Sequence, residues 1–124
     1  MEDSKRKTVL IVEDEPDLSV VFANLLSVFG VQSKVAESGS AAKNSIANHK
    51  FDFIIIDLTL PDMSGLDLYK EMISANPEYR GNVIFTSGMN ASAELGEMMK
   101  KDDISFLAKP FSIEKLKETL DKWL

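Results

Sequence analysis

Phe53-Ile54-Ile55-Ile56-Asp57-Leu58-Thr59-Leu60-Pro61-Asp62-Met63-Ser64-Gly65 joins four apolar residues to an aspartate and then to a run of turn formers. A short, continuously apolar run bounded by such residues reads as a strand buried on both faces, the pattern of a covered parallel sheet. Three other runs repeat the theme: Val9 to Val12 leads into Glu13-Asp14, Val83 to Phe85 into Thr86-Ser87, and Ile104 to Ala108 into Lys109. If all four are parallel strands, their polar ends gather at one edge of the sheet. Open α/β folds hold their ligands there, in the crevice beyond the carboxyl ends of the strands.

Helical periodicity fills the spaces between. Leu18, Val21, Phe22, Leu25, Leu26 and Phe29 recur at three- and four-residue spacing, with Pro16 suited to the first turn and Gly30 to the end. Val31, Ser33 and Val35 alternate with Gln32 and Lys34, as in a half-exposed edge strand. A weaker helix is expected over Ser40 to Asn48. A third carries Leu66, Tyr69 and Ile73 on one face and is closed by Asn76-Pro77, and a fourth over Ala91 to Lys101 is weakened by Gly96. After Pro110, Ser112 can cap a last helix whose Ile113, Leu116, Leu120 and Trp123 face the core. Strand then helix, five times over, gives a three-layer α/β sandwich with right-handed crossovers.

A chain of 124 residues fits one domain with no linker. Hydrophobic content of 44% and charged content of 27% are those of a soluble globular domain, neither disordered nor membrane-embedded. The absence of cysteine excludes a disulfide scaffold and thiolate metal sites and fits a reducing compartment, so a cytoplasmic location is expected. A net charge of −6 disfavours sequence-independent nucleic-acid binding, and Lys5-Arg6-Lys7 reads as a solvated tail. The apolar run that follows is too short for a signal segment or a membrane span. Neither nucleic acid nor membrane is therefore expected as a partner.

Glu13, Asp14 and Asp57 would lie close together, and like charges at short range resist ionising together unless a cation compensates. Oxygen ligands without histidine or cysteine favour magnesium or manganese. Lys109 brings a fixed positive charge to the other side, and the whole suits a phosphoryl group, whose charge is spread over three oxygens. Strand alternation turns Thr86 and Ser87 to opposite sides, so one of the two hydroxyls is expected at the site. His49, the only histidine, stands outside every motif and reads as a surface residue, and Met98-Met99 as helix packing.

At this point the residues match a family. Val12-Glu13-Asp14-Glu15-Pro16, the stretch from Ile56 to Gly65, Phe85-Thr86-Ser87-Gly88 and Lys109-Pro110-Phe111 resemble the segments of response-regulator receiver domains, in the right order and at the right strand ends. The resemblance covers the whole chain, residues 1–124. It implies a flavodoxin-like sheet of order 2-1-3-4-5 with five helices, and a signalling switch rather than an enzyme. By the same resemblance Asp57 takes a phosphoryl group from the phosphohistidine of a histidine kinase or histidine phosphotransfer protein. Asp14 and Asp57 would ligate magnesium directly, Glu13 through water, and the Thr59 carbonyl would complete the protein ligands. Lys109 and Ser87, chosen over Thr86, would hold phosphoryl oxygens. The family pattern also makes the Lys109-Pro110 bond cis, where sequence alone favours trans. Phe106 matches the aromatic that changes rotamer, here by sterics alone because it has no phenol. The output surface would be the fourth helix, fifth strand and fifth helix.

Thr59 and Met89 stand two residues beyond Asp57 and Ser87, where a hydrolytic water must approach, and neither offers an amide or carboxylate to orient it. Slow self-dephosphorylation is expected. A haloacid-dehalogenase-like phosphatase, the main rival, has a second aspartate where Thr59 stands here. A flavodoxin-type binding module needs a hydroxyl- and glycine-rich loop after the first strand, and none is present.

Overall fold

The continuously apolar runs become the central strands. In the computed structural model, which describes residues 6–88 and 93–124, β1 (Thr8–Val12), β3 (Phe53–Asp57) and β4 (Val83–Ser87) lie mid-sheet. The edges are β2 (Gln32–Ala36) and β5 (Ser105–Ala108). Strand order is β2-β1-β3-β4-β5 and all four pairings are parallel. Every residue of β3 and β4 is buried, whereas in β2 only Ala36 is. A mid-sheet place would bury Gln32 and Lys34 without partners, so this strand belongs at an edge.

Five helices cover the sheet: α1 (Pro16–Val28), α2 (Gly39–Asn48), α3 (Gly65–Ala75), α4 (Ala93–Asp102) and α5 (Ile113–Leu120), with a short 3₁₀ turn at Pro77–Tyr79. Their starts follow local chemistry. Pro16 opens α1, and the hydroxyls of Ser38, Ser64 and Ser112 accept from the amides of Ala41, Asp67 and Lys115, each at 3.0 Å. Such caps stabilise a helix by about 1 kcal/mol each.

Alternation along the strands divides their side chains between two cores. Leu10, Val12, Ile54, Ile56, Val83 and Phe85 pack with Ala42 of α2, Leu68, Tyr69 and Met72 of α3, and Leu95 of α4. On the opposite face Val9, Ile11, Phe53, Ile55, Ile84 and Leu107 meet Phe22 and Leu26 of α1, Leu116 and Leu120 of α5, and Trp123. Each fully buried aliphatic side chain contributes roughly 1.5–3 kcal/mol, so both layers clamp the strand ends that carry the polar residues.

Two expectations are corrected, and one falls outside the described residues. Ile113, expected to face the core, is 56% exposed, and Val21, on the apolar face of α1, is 49% exposed. They line an apolar groove with Leu18, Leu25, Pro110 and Phe111, because only a narrow seam of α1 and α5 reaches the sheet. The second strand begins at Gln32, leaving Val31 buried in the preceding turn. Residue 91, the expected start of α4, lies outside the described residues. No described helix is long and apolar enough to cross a membrane.

Candidate functional site

Val12 of β1 stands opposite Ile56 of β3, so Glu13, just past β1, and Asp57, the last residue of β3, come side by side at the sheet's carboxyl edge. Carboxylate oxygens of Glu13, Asp14 and Asp57 lie within 4.8 Å of one another. Glu13 and Asp57 are 1% and 5% exposed, while Asp14 is open to solvent. From the far side comes Lys109, whose amide donates to the Ser87 carbonyl at 2.8 Å and so continues the β4–β5 ladder. Its side chain passes over the end of β4 to reach β3 and β1. There Nζ donates to Asp57 Oδ2 at 2.9 Å and to Glu13 Oε1 at 3.0 Å.

Charge balance follows from this geometry. Burial raises the Glu13 carboxyl above its ordinary value, against the opposing pull of the Lys109 hydrogen bond and of the Glu15 amide, which donates to Oε2 at 3.1 Å. Burial would lower the Lys109 ammonium, but its bonds to Asp57 and Glu13 outweigh that and hold it above the usual lysine value. One fixed cation thus stands against three carboxylates. The surplus of negative, all-oxygen donors is what a hard divalent ion such as magnesium satisfies, so these residues fit one.

Asp57 is held on its other side too. Oδ1 accepts from the Thr59 amide at 2.9 Å, which fixes the carboxylate between a backbone donor and an ammonium. The loop behind it is tied down by Leu58 N–H to the Thr86 carbonyl, by Gly65 N–H to the Leu58 carbonyl, both at 2.9 Å, and by a bridge between Thr59 and Ser64. Gly65 is required here, since a Cβ would lie 2.4 Å from the Asp57 carbonyl oxygen and 2.8 Å from Leu58 Cα.

The two candidate hydroxyls part as alternation requires. Thr86 pairs in register with Asp57 and shares its side of the sheet, while Ser87, the last residue of β4, turns to the side of Phe85. Thr86 Oγ1 is fully buried and has no hydrogen-bond partner. Ser87 is also buried, at the strand's end, opposite Ala108. Phe106 pairs with Phe85 on that same face and packs, half-buried, on the core beneath α4. The Lys109-Pro110 peptide bond is cis. Thr59 is exposed, and Met89 lies outside the described residues. His49 is exposed, its ring tilted 6.4 Å from that of Phe51, and Met98 and Met99 pack on the core.

Pattern reading missed two features of this site. It gave Glu13 a water-mediated place beside a cation, but not the direct bond to Lys109, which joins residues 96 apart in the chain. It also missed the Thr59 amide on Asp57; an aspartate two residues before a backbone amide in a turn is the one local signal that would have suggested it.

A model of the response regulator receiver domain matches residues 9–121. Among curated relatives, the probable transcriptional regulatory protein TcrX of Mycobacterium tuberculosis is 32% identical over 92% of this chain, which spans 48% of TcrX. The chemotaxis protein CheY of Thermotoga maritima is 29% identical over 94% of this chain and 96% of its own. The chain spans about half the length of the transcriptional regulators TcrX and CitB and nearly all of CheY. A solved CheY-like receiver domain from Methylobacillus flagellatus superposes with a TM-score of 0.82 at 31% identity, covering 94% of this chain and 97% of that one. The sheet order, the strand-end carboxylates with their lysine, and these matches agree: the chain belongs to the receiver domains of two-component response regulators.

Proposed function

We propose that residues 1–124 act as one receiver domain in the cytoplasm, and that Asp57 accepts a phosphoryl group from the phosphohistidine of a histidine kinase or histidine phosphotransfer protein. The observation that carries this reading is the double constraint on Asp57: Thr59 N–H holds one oxygen, Lys109 the other, beside two more carboxylates. An Asp57 oxygen attacks phosphorus as the P–N bond to the histidine breaks. The bonding pair returns to the imidazole nitrogen, the ring keeps the proton carried on its other nitrogen and leaves neutral, and an aspartyl phosphate remains. Lys109, already charged and in place, transfers its contact to a phosphoryl oxygen, and Ser87 supplies a hydroxyl to another. Asp14 and Asp57 directly, Glu13 through water and the Thr59 carbonyl would hold magnesium, which when bound neutralises phosphoryl charge.

Ser87 turned toward the phosphoryl group vacates space on the Phe85 side of the sheet, which Phe106 can take up. A local charge thereby alters the surface of α4, β5 and α5, the output face. The phosphoryl donor must reach Asp57 from the open edge. There the apolar groove of Leu18, Val21, Leu25, Phe111 and Ile113 adjoins Lys109 and offers the partner a foothold.

Incubation with magnesium and acetyl phosphate or phosphoramidate tests the reading. A stoichiometric and persistent gain of one phosphoryl group is expected, because Thr59 offers no amide or carboxylate to orient a hydrolytic water. Decay of the label within seconds contradicts the slow self-dephosphorylation, and rapid multiple turnover marks a phosphatase instead.

A further inference from the structure

Asp62 lies outside the acidic cluster and is exposed, yet both of its carboxylate oxygens are committed. Oδ1 accepts from the Gly39 amide and Oδ2 from the Ser40 amide, each at 2.9 Å, across 23 and 22 residues of chain. These are the first amides of α2, which no intrahelical carbonyl can satisfy. The helix's own cap, Ser38, serves Ala41, so α2 is capped a second time from a distant loop. The carboxylate there also meets the positive end of the helix dipole, and the two amides hold it below the usual aspartate value. A second contact fastens the same point. A Cβ on Gly39 would lie 2.2 Å from Met63 Sδ, so the Met63 side chain rests against the bare backbone of Gly39.

Asp62 and Met63 are the tip of the loop that begins at Leu58. Its base is closed by the bridge between Thr59 and Ser64, and its near end presents the Thr59 amide to Asp57. We propose that Asp62 is a positioning residue for the phosphoryl site: by fastening the loop tip to α2 it holds the Thr59 main chain against Asp57. That sets the amide which Asp57 accepts and the carbonyl offered to the cation. The cation and phosphoryl parts rest on the proposed function; the amide part does not.

Two variants of the full chain test this: Asp62→Ala, and Asp62→Asn, which keeps one acceptor oxygen. Amide hydrogen exchange is read in metal-free protein, and magnesium alone is then titrated into the unphosphorylated protein by backbone amide shifts. In Asp62→Ala the amides of Gly39, Ser40 and Thr59 are expected to exchange about tenfold faster by local opening. Magnesium should bind about tenfold more weakly, the usual scale for loss of an outer-shell support. Asp62→Asn should fall between the wild type and Asp62→Ala. Thr59 exchange unchanged while Gly39 and Ser40 open would overturn the proposal, leaving Asp62 a helix cap only. So would a looser Thr59 with wild-type magnesium affinity. If the wild type itself binds no magnesium and takes no phosphoryl group, the functional reading fails, and Thr59 exchange alone decides the strap.

Discussion

Two unlike donors hold the two oxygens of Asp57, and one of them, Lys109, stands between a pair of buried carboxylates. Under that arrangement Thr86 is an oddity: its hydroxyl lies on the same side of the sheet with no partner. An unmade buried hydrogen bond costs about 1–3 kcal/mol, so Thr86→Val, close in shape, is expected to be neutral or stabilising by up to about 1 kcal/mol. Urea unfolding checks this, and a loss of more than about 1 kcal/mol would mean that the hydroxyl has a partner in solution. The sequence reading could raise the choice between Thr86 and Ser87 but had only the family resemblance to make it. The reason is geometric: the site is at the end of the sheet, beyond both faces, so alternation does not say which hydroxyl reaches it. Asp57 was legible because four apolar residues precede it. Asp62 was not, since an acidic residue in a turn has an ordinary explanation and its partners lie far along the chain.

At the level of elements, helix faces show where periodicity misleads. Six apolar residues of the first helix and its end share a stripe, but Phe22 and Leu26 are the ones fully buried. A three- and four-residue spacing marks a face as apolar without saying whether the fold or a partner covers it. Val21→Asp or Ile113→Asp should therefore leave stability within about 0.5 kcal/mol, since both positions face solvent. Labelling by acetyl phosphate should be unaffected, while transfer from a phosphohistidine protein slows about tenfold, the effect of losing about 1.4 kcal/mol of contact. Equal slowing with both donors would place the defect in the site and not at the groove.

The end of α4 has a different kind of anchor. Tyr69, fully buried on α3 with its ring edge-on to Phe85 at 5.6 Å, donates to buried Asp102 at 2.7 Å. Burial first, and then the Asp102 carboxylate, hold the phenol far above the ordinary tyrosine value. A raised group contributes stability that is complete below its unfolded value, about 10, and that is lost as pH rises from there through the folded value. Tyr69→Phe is expected to cost about 1–2 kcal/mol at neutral pH by removing the donor from Asp102. The gap to wild type should close as unfolding is measured at increasing pH beyond about 10. A gap independent of pH would show that the hydroxyl does not carry the anchor.

Across the whole molecule, the sheet was the most legible feature, because a strand buried on both faces must be apolar throughout and an edge strand need not be. Continuous runs placed β1, β3 and β4 in the middle, and the half-polar β2 at an edge. Parallel pairing then sends all their polar ends to one side, where the candidate site lies. What the pattern could not supply was long-range: the Lys109 ammonium on Glu13, the Asp62 strap onto α2 and the Tyr69 bond to Asp102 each join residues tens of positions apart.

The proposed phosphoryl acceptor is Asp57. Intact-protein mass spectrometry after incubation with magnesium and acetyl phosphate, on wild type and Asp57→Asn side by side, tests it most directly. The expected result is one hydroxylamine-labile phosphoryl group on the wild type and none on a folded Asp57→Asn. A gain that persists in Asp57→Asn, or its absence from folded wild type, would rule out Asp57 as the acceptor.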